Sequence, residues 1–556
     1  MHRSPAFIPA LLLAATSSVA AAPQDAAPAD TVIVNARIWS DGLPAFAPTA
    51  AIRDGAFIHV GETVDDFTGP NTEIINVNGA VVLPGLIDSH VHMLGGGQQL
   101  SQLQLREADS KMDFIARVAD WAAALPQDAW ILGGRWSTES WPSIEQPTKD
   151  WLDDVTGDRP LFLPRMDGHS AIVNSKALEI AGITADGPEN PVGGVIDRDP
   201  VTNEPTGILR ESAMSLVGRF IPQPDLNDDV AALRRAMDHA LSNGVTTVAD
   251  IPSLTDLDAY ERLARDGAPP VRFYLYVTAD DWMRVVRARD NFDGLPGFIE
   301  INGAKAYLDG SLGSRTAMMT APFLNNEPER PDWSGLWAAG VEDGQFATNI
   351  VSAMRGGLQP IVHAIGDEAN RALLDMVMMT YGEDVRTARP RSEHAQHLRA
   401  EDIPIFAERG VIASMQPFHK ADDGRYAEDY LGEQRCRSSY AYKSLLDAGA
   451  VLVFGSDWPV VTINPLLGME TAVTGRILDG TFWQTQENIT VAEALRAYTS
   501  SAAYGIQQEG RLGVIAPGAR ADFIVLDGSP FGAEVDWSSI RVRTTYVDGK
   551  KVWVAE

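Results

Sequence analysis

Short β-type runs recur along the chain, and stretches with helical spacing of apolar residues separate them. Eight such runs are Leu86–Met93, Gly244–Asp250, Val271–Thr278, Ile301–Leu308, Leu358–Ile365, Arg391–Gln396, Val411–Gln416 and Val451–Asp457. Asp228–Ser242, Glu368–Tyr381 and Glu401–Arg409 carry the helical pattern between them. Strands alternating with helices predict a parallel α/β fold. Eight of them are the count of a (β/α)8 TIM-type barrel. Roughly 150 residues separate the first run from the second, far beyond an ordinary connection. The stretch from about 95 to 235 is therefore read as an insertion with structure of its own, carrying Trp130–Trp136 and Pro160–Ala171.

The two ends of the chain have a different pattern. Thr31–Ile38 alternates as a strand does, and Asp54-Gly55 between Ala51-Ile52 and Ala56–Ile58 is a hairpin signal. Ala521–Leu526 is a strand, and Tyr546–Trp553 is a second hairpin around Asp548-Gly549. Segments this small do not stand alone. They are expected to pair into one small β-sandwich domain formed by both chain ends, in preference to two separate decorations. The plan is then 31–83 for the N-terminal β part, 84–507 for the barrel and 508–556 for the C-terminal β part.

The first residues fit neither pattern. Arg3 precedes an apolar stretch, Ala6 to Ala15, and Val19-Ala20-Ala21 supplies the small residues of a cleavage site. The stretch is too short for the roughly 20 residues that span a bilayer. Residues 1–21 are read as a signal peptide and 22–30 as a polar linker, which places the mature protein in the periplasm or outside the cell.

Composition narrows the chemistry. Of 556 residues, 45% are hydrophobic and 22% charged, as in an ordinary soluble protein, and the formal net charge is -30. Such a surface repels phosphate backbones and anionic lipid, so nucleic acid and membrane are poor partners. A small-molecule substrate is expected, and a homo-oligomer is compatible with it. Solubility alone is the plainer reading of the charge. The single cysteine, Cys436, excludes an internal disulfide and a thiolate metal cluster. A metal site must use histidine and carboxylate.

Candidates for such a site sit on the runs. His90 and His92 end the first, and alternate strand residues point to the same side. Lys305 lies in the otherwise buried fourth run, and buried lysines are rare unless paired. It is either a lysine at the barrel rim, or one bonded to an acid such as Asp309, or one carboxylated by CO2. His363 lies on the fifth run and His394 on the sixth. Asp457 ends the eighth, where barrel enzymes place catalytic residues. His363 and His394 taken singly are read as core residues, and Asp457 as a loop cap. As a set, these side chains from distant parts of the chain converge at one barrel mouth.

Five segments carry a resemblance. They are Leu83–His92, Leu308–Ala317, Val362–Asp367, Glu393–Gln396 and Gly455–Val460. With them the chain resembles the amidohydrolase superfamily from about Thr31 to its end, and within it YtcJ-like proteins and N-substituted formamide deformylases. The resemblance implies two divalent metal ions, with zinc expected. His90 and His92 would hold one ion, His363 and His394 the other. Lys305 as N6-carboxylysine would bridge them. Asp457 would ligate the first ion and move the proton released when a metal-activated hydroxide attacks. His169 matches a recurrent segment of this branch and is a substrate-binding candidate. Arg315, His419 and Trp458 are candidates by position, and each has a structural reading beside it. The implied activity is hydrolysis of a non-peptide C–N bond in a small amide, of N-acyl or formamide type. An esterase, lactonase or carbamate hydrolase on the same metal site is the alternative.

Overall fold

The computed structural model describes residues 27–556 except 44, 139–140, 142–144, 166–169, 192–193, 279–280, 327, 329–330, 382–384 and 533. The signal segment 1–21, most of the linker and His169 lie outside the described residues.

Eight parallel strands form one sheet in chain order. They are β1 (Leu86–Val91), β2 (Val245–Asp250), β3 (Arg272–Thr278), β4 (Ile299–Tyr307), β5 (Gln359–Ala364), β6 (Arg391–His394), β7 (Ile412–Met415) and β8 (Leu452–Phe454). The sheet is nearly closed. Between β8 and β1 the Asp457 N–H donates to the His90 carbonyl at 2.7 Å, and the Ser456 N–H donates to the Asp88 carboxylate at 2.9 Å. All eight expected runs are strands of the (β/α)8 TIM-type barrel.

Six of the eight strands stop one to three residues short of their expected runs, β6 by two and β8 by three. β6 ends at His394, where His394 and Ala395 have φ of 78° and 43°; past the end of β8 at Phe454, Asp457 has φ of 59°. Left-handed backbone cannot continue a strand.

Helices such as Leu226–Ser242, Leu257–Arg265, Gln345–Arg355 and Asp367–Tyr381 connect the strands. The first begins at Leu226, ahead of its apolar periodicity, because the Asp225 carboxylate accepts from the Asn227 and Asp228 N–H groups. No helix among the described residues is long and apolar enough to cross a membrane.

The insertion builds its own six-stranded sheet. Its order is Gly194–Arg198, Pro205–Glu211, Ser170–Val173, Leu161–Pro164, Ile131–Gly134 and Leu103–Gln104. Trp136 and Trp141 are buried in its core against Phe114, and their indole N–H groups donate to the carbonyls of Leu163 and Ala108. They pack this core.

The chain ends meet as a sandwich. One sheet comes wholly from the N-terminal segment, in the order Ala56–Gly61, Thr49–Arg53, Thr31–Val34, Glu73–Asn76. The other joins both ends: Val81–Pro84 runs antiparallel to Phe523–Asp527, with Val82 opposite Val525. Both hairpins turn at the Asp-Gly pairs, with φ of 50° and 72° at Asp54 and Gly55 and again at Asp548 and Gly549. Phe57, Phe523 and Tyr546 fill the space between the sheets. The buried Arg272 guanidinium of β3 donates to Asp522 at 2.7 and 3.0 Å and also pairs with Asp548, tying the sandwich to the base of the barrel.

Candidate metal centre

The C-terminal ends of β1, β4, β5, β6 and β8 bring His90, His92, Lys305, His363, His394 and Asp457 into one region. The Asp457 Oδ1 lies 3.5 Å from His90 Nε2 and 3.2 Å from His92 Nε2. One donor atom each from His90, His92 and Asp457 fits within 4.8 Å of the others, as metal ligands must. His394, His419 and Asp457 form a second such group, which shares the carboxylate. The His363 ring stands 4.4 Å from that of His394, outside either group of close donor atoms.

The histidines are held by one nitrogen each. His90 Nδ1 contacts the Glu393 carboxylate, His394 Nδ1 lies 2.7 Å from Gln416 Oε1, and His363 Nε2 lies 3.0 Å from the Gly310 carbonyl. Each partner is an oxygen acceptor, so the facing ring nitrogen carries the proton. The other nitrogen then keeps its lone pair, which is the tautomer a metal requires. Burial and the neighbouring Lys305 charge push His90 down to about 4 and His363 to about 3, so both rings are neutral at ordinary pH.

Glu393 was not expected to take part, yet it anchors the set. Burial opposes its charge, but the Arg391 guanidinium and the His90 ring outweigh that and hold the carboxyl at about 2. Arg391 donates to it at 2.7 and 3.0 Å and Ser414 at 2.8 Å. The signal was available in the sequence: Arg391 and Glu393 are opposite charges two apart on an interior strand, where charges need partners. Gln416 left no such signal. Glu393→Gln is expected to weaken metal binding about 10–100-fold, the usual effect of losing a partner that orients a ligand. Competition with a coloured chelator would measure it, and unchanged affinity would remove Glu393 from the centre.

Lys305 is buried, and its Nζ lies 3.3 Å from His90 Nε2 and 4.9 Å from the Tyr307 ring centre. Burial pushes the amine down to about 8. Asp309 is not its partner. That carboxylate accepts three backbone N–H groups, from Met318, Ile365 and Gly366.

The other candidates divide. His419 is buried, with Nε2 at 3.8 Å from Asp457 Oδ2 and Nδ1 at 3.2 Å from Gln396 Nε2. As that amide is oriented, it donates to Nδ1, so His419 presents an N–H to the centre where the other rings present lone pairs. The Arg315 guanidinium stacks on Tyr430 at 4.4 Å and donates to the Asn325 carbonyl, which is a loop-holding geometry. Trp458 packs against His239 and over Gly96, where a Cβ would come within 2.1 Å of the indole. That contact accounts for part of the glycine cluster after His92. His397, the neighbour of His394 in sequence, binds the Ser439 hydroxyl instead.

The model of the amidohydrolase family matches residues 73–553. The chain is 37% identical to Protein LONG AFTER FAR-RED 3 of Arabidopsis thaliana, over 94% of this chain and 92% of that one. It is 32% identical to putative amidohydrolase YtcJ of Bacillus subtilis, over 88% and 92%. It is 27% identical to the N-substituted formamide deformylase of Arthrobacter pascens, over 94% and 97%. A metal-dependent hydrolase from Pyrococcus furiosus superposes with a TM-score of 0.72 at 26% identity, covering 90% of this chain and 100% of that one.

Proposed function

The chain belongs to the amidohydrolase family, and on that premise we propose that it hydrolyses a non-peptide C–N bond in a small amide of N-acyl or formamide type. The observation that carries the reading is the convergence of ring-anchored histidines on one carboxylate, Asp457, at the barrel mouth. Neutral imidazole and carboxylate are the donors that suit zinc. In this reading His90 and His92 would hold one zinc ion, and His363 and His394 would hold a second. Lys305, as N6-carboxylysine, supplies an anion to both, and Asp457 ligates the first. Zinc, when bound, supplies Lewis acidity toward a carbonyl and toward water.

The chain's own groups do the remaining work. Asp457 Oδ1 faces the Nε2 atoms of His90 and His92, on the side where the first ion would be held, which leaves Oδ2 to accept the proton of the attacking water. That proton then passes from Oδ2 to the leaving nitrogen. His419, 3.8 Å from Oδ2, is placed to hydrogen-bond substrate or carboxylate as the proton moves.

The deformylase relative directs the test. Metal-loaded and chelator-treated protein would be given N-substituted formamides, N-acyl amines, esters, lactones and carbamates. Release of amine from the first two classes, lost on chelation, is expected. Faster cleavage of the esters, lactones or carbamates would move the reading to that class. Export is proposed from residues 1–21, and protein from the native host should begin near Ala22 or Pro23. An intact Met1 on that protein would rule export out.

A further inference from the structure

Residues 309–318 follow β4 as a turn that closes on itself. The Thr316 and Ala317 N–H groups both donate to the Ser311 carbonyl, at 3.0 and 2.9 Å, and the Gly310 N–H donates to the Thr316 carbonyl at 3.2 Å. The Ser311 N–H donates to Thr316 Oγ1 at 3.1 Å. A Cβ at Gly310 would meet Thr316 Oγ1 at 2.0 Å, so the turn closes this tightly with glycine there. It is this turn that carries the Gly310 carbonyl, which accepts from His363 Nε2 at 3.0 Å.

The Asp309 side chain latches the turn to the end of β5. Its Oδ2 accepts from the Met318 N–H, at the far end of the turn, and from the Gly366 N–H, both at 2.8 Å. Its Oδ1 accepts from the Ile365 N–H at 3.0 Å. One carboxylate thereby joins both ends of the turn to the segment that follows His363. The Met318 carbonyl adds a backbone tie, accepting from the Glu368 and Ala369 N–H groups at 3.2 and 3.3 Å in the first turn of the helix Asp367–Tyr381. A Cβ at Gly366 would come within 2.0 Å of that carbonyl oxygen, so the approach needs glycine.

Asp309 is buried, and no lysine or arginine pairs with it among the described residues. Burying a carboxylate is unfavourable unless its lone pairs are met, and here backbone N–H groups meet them. Its Oδ1 also stands 3.7 Å from His363 Nε2. A negative charge behind the ring N–H makes the opposite nitrogen a stronger donor to a metal. Glu393 backs His90 by direct contact, and Asp309 backs His363 through one peptide carbonyl.

We propose that Asp309 is a positioning residue for the second metal ion: it holds the Gly310 carbonyl on His363 Nε2, so that Nδ1 keeps its lone pair for that ion. This rests on the two-ion reading above and deepens it.

The test uses Asp309→Asn, which keeps the size of the side chain. The amide nitrogen carries hydrogens where the carboxylate accepts, so the latch loses at least one bond. Zinc binding to metal-free protein is followed by calorimetry. The native chain should take two ions. Asp309→Asn should hold the first as the native chain does and the second about 10–100-fold more weakly. Two ions held as in the native chain, or both weakened equally as a general structural defect would do, would overturn the inference.

A second readout needs no metal. In metal-free protein with isotope-labelled histidine, the proton on His363 Nε2 should give a slowly exchanging signal, identified by its absence in His363→Asn. Asp309→Asn should lose that signal to exchange with water while the signal of the His90 ring proton stays. No such signal in the native chain, or the same signal in both proteins, would overturn the inference. If the native chain binds one ion, the two-ion reading fails separately and the ring proton alone decides the role of Asp309. Should Asp309→Asn fail to fold, Thr316→Val carries both measurements. It removes the acceptor of the Ser311 N–H and keeps the shape of the side chain. It should weaken the second ion about 2- to 10-fold, the worth of one neutral hydrogen bond, and speed exchange of the same ring proton. No change in either would overturn the inference.

Discussion

Replacing Asp457 by asparagine is expected to lower turnover about 10²–10⁴-fold, the usual contribution of a general acid–base group, while the fold stays intact. The substitution is mild for the backbone. Residue 457 has φ of 59°, a region asparagine enters more readily than most residues, and its N–H bond to the His90 carbonyl involves no side chain. The substitution is severe for the chemistry. Asparagine can still offer Oδ1 toward His90 and His92, but its Nδ2 carries two hydrogens and cannot take up a proton. Loss of metal would mimic this result, so bound metal is to be counted in the same sample. Turnover near the native value with metal retained would remove Asp457 from the proton path.

Lys305→Ala is expected to cost more than metal affinity alone. The side chain is buried beside His90, and no acid lies within ion-pair distance among the described residues. An ammonium there would repel a dication, whereas a carbamate formed from the neutral amine and CO2 attracts one. Removing the chain deletes that anion and leaves a gap of its size. Both ions should then be held at least about 10–100-fold more weakly, with activity falling alongside, since the loss exceeds that of an orienting partner. Formate, acetate or propionate, supplied with metal, should enter the gap and restore part of the activity. Reconstitution of metal-free native protein should also run faster with bicarbonate present. A Lys305→Ala protein that keeps two ions and full activity without added carboxylate would show that Lys305 does not bridge. The site would then be read as mononuclear around His90, His92 and Asp457.

The barrel was legible because β-type runs alternate with helical spacing along the chain, and all eight strands stand where those runs lie. The hairpins of the sandwich were legible from Asp54-Gly55 and Asp548-Gly549, since that dipeptide suits a turn with two positive φ angles. Strand ends were less so. Nothing in the residues around His394 or Asp457 announces left-handed backbone, and there the apolar pattern overran the strand.

The ligand-type residues could be named from strand position alone. Their supports could not, because hydrogen bonds between distant segments leave no local pattern. Glu393 meets His90 across 303 residues, and Gln416 meets His394 from the next strand. His419 was expected only to face substrate; that its Nδ1 meets an amide nitrogen, so that it offers an N–H, is visible only in space.

The account's central claim is that bound metal at this centre drives hydrolysis of a C–N bond. The direct measurement is a zinc titration of metal-free protein while release of amine from an N-substituted formamide is followed. The expected result is no turnover without metal, and a rise that levels off when two zinc ions are bound per chain. Turnover by the metal-free protein, or zinc bound at the centre with no cleavage of any amide offered, would contradict it.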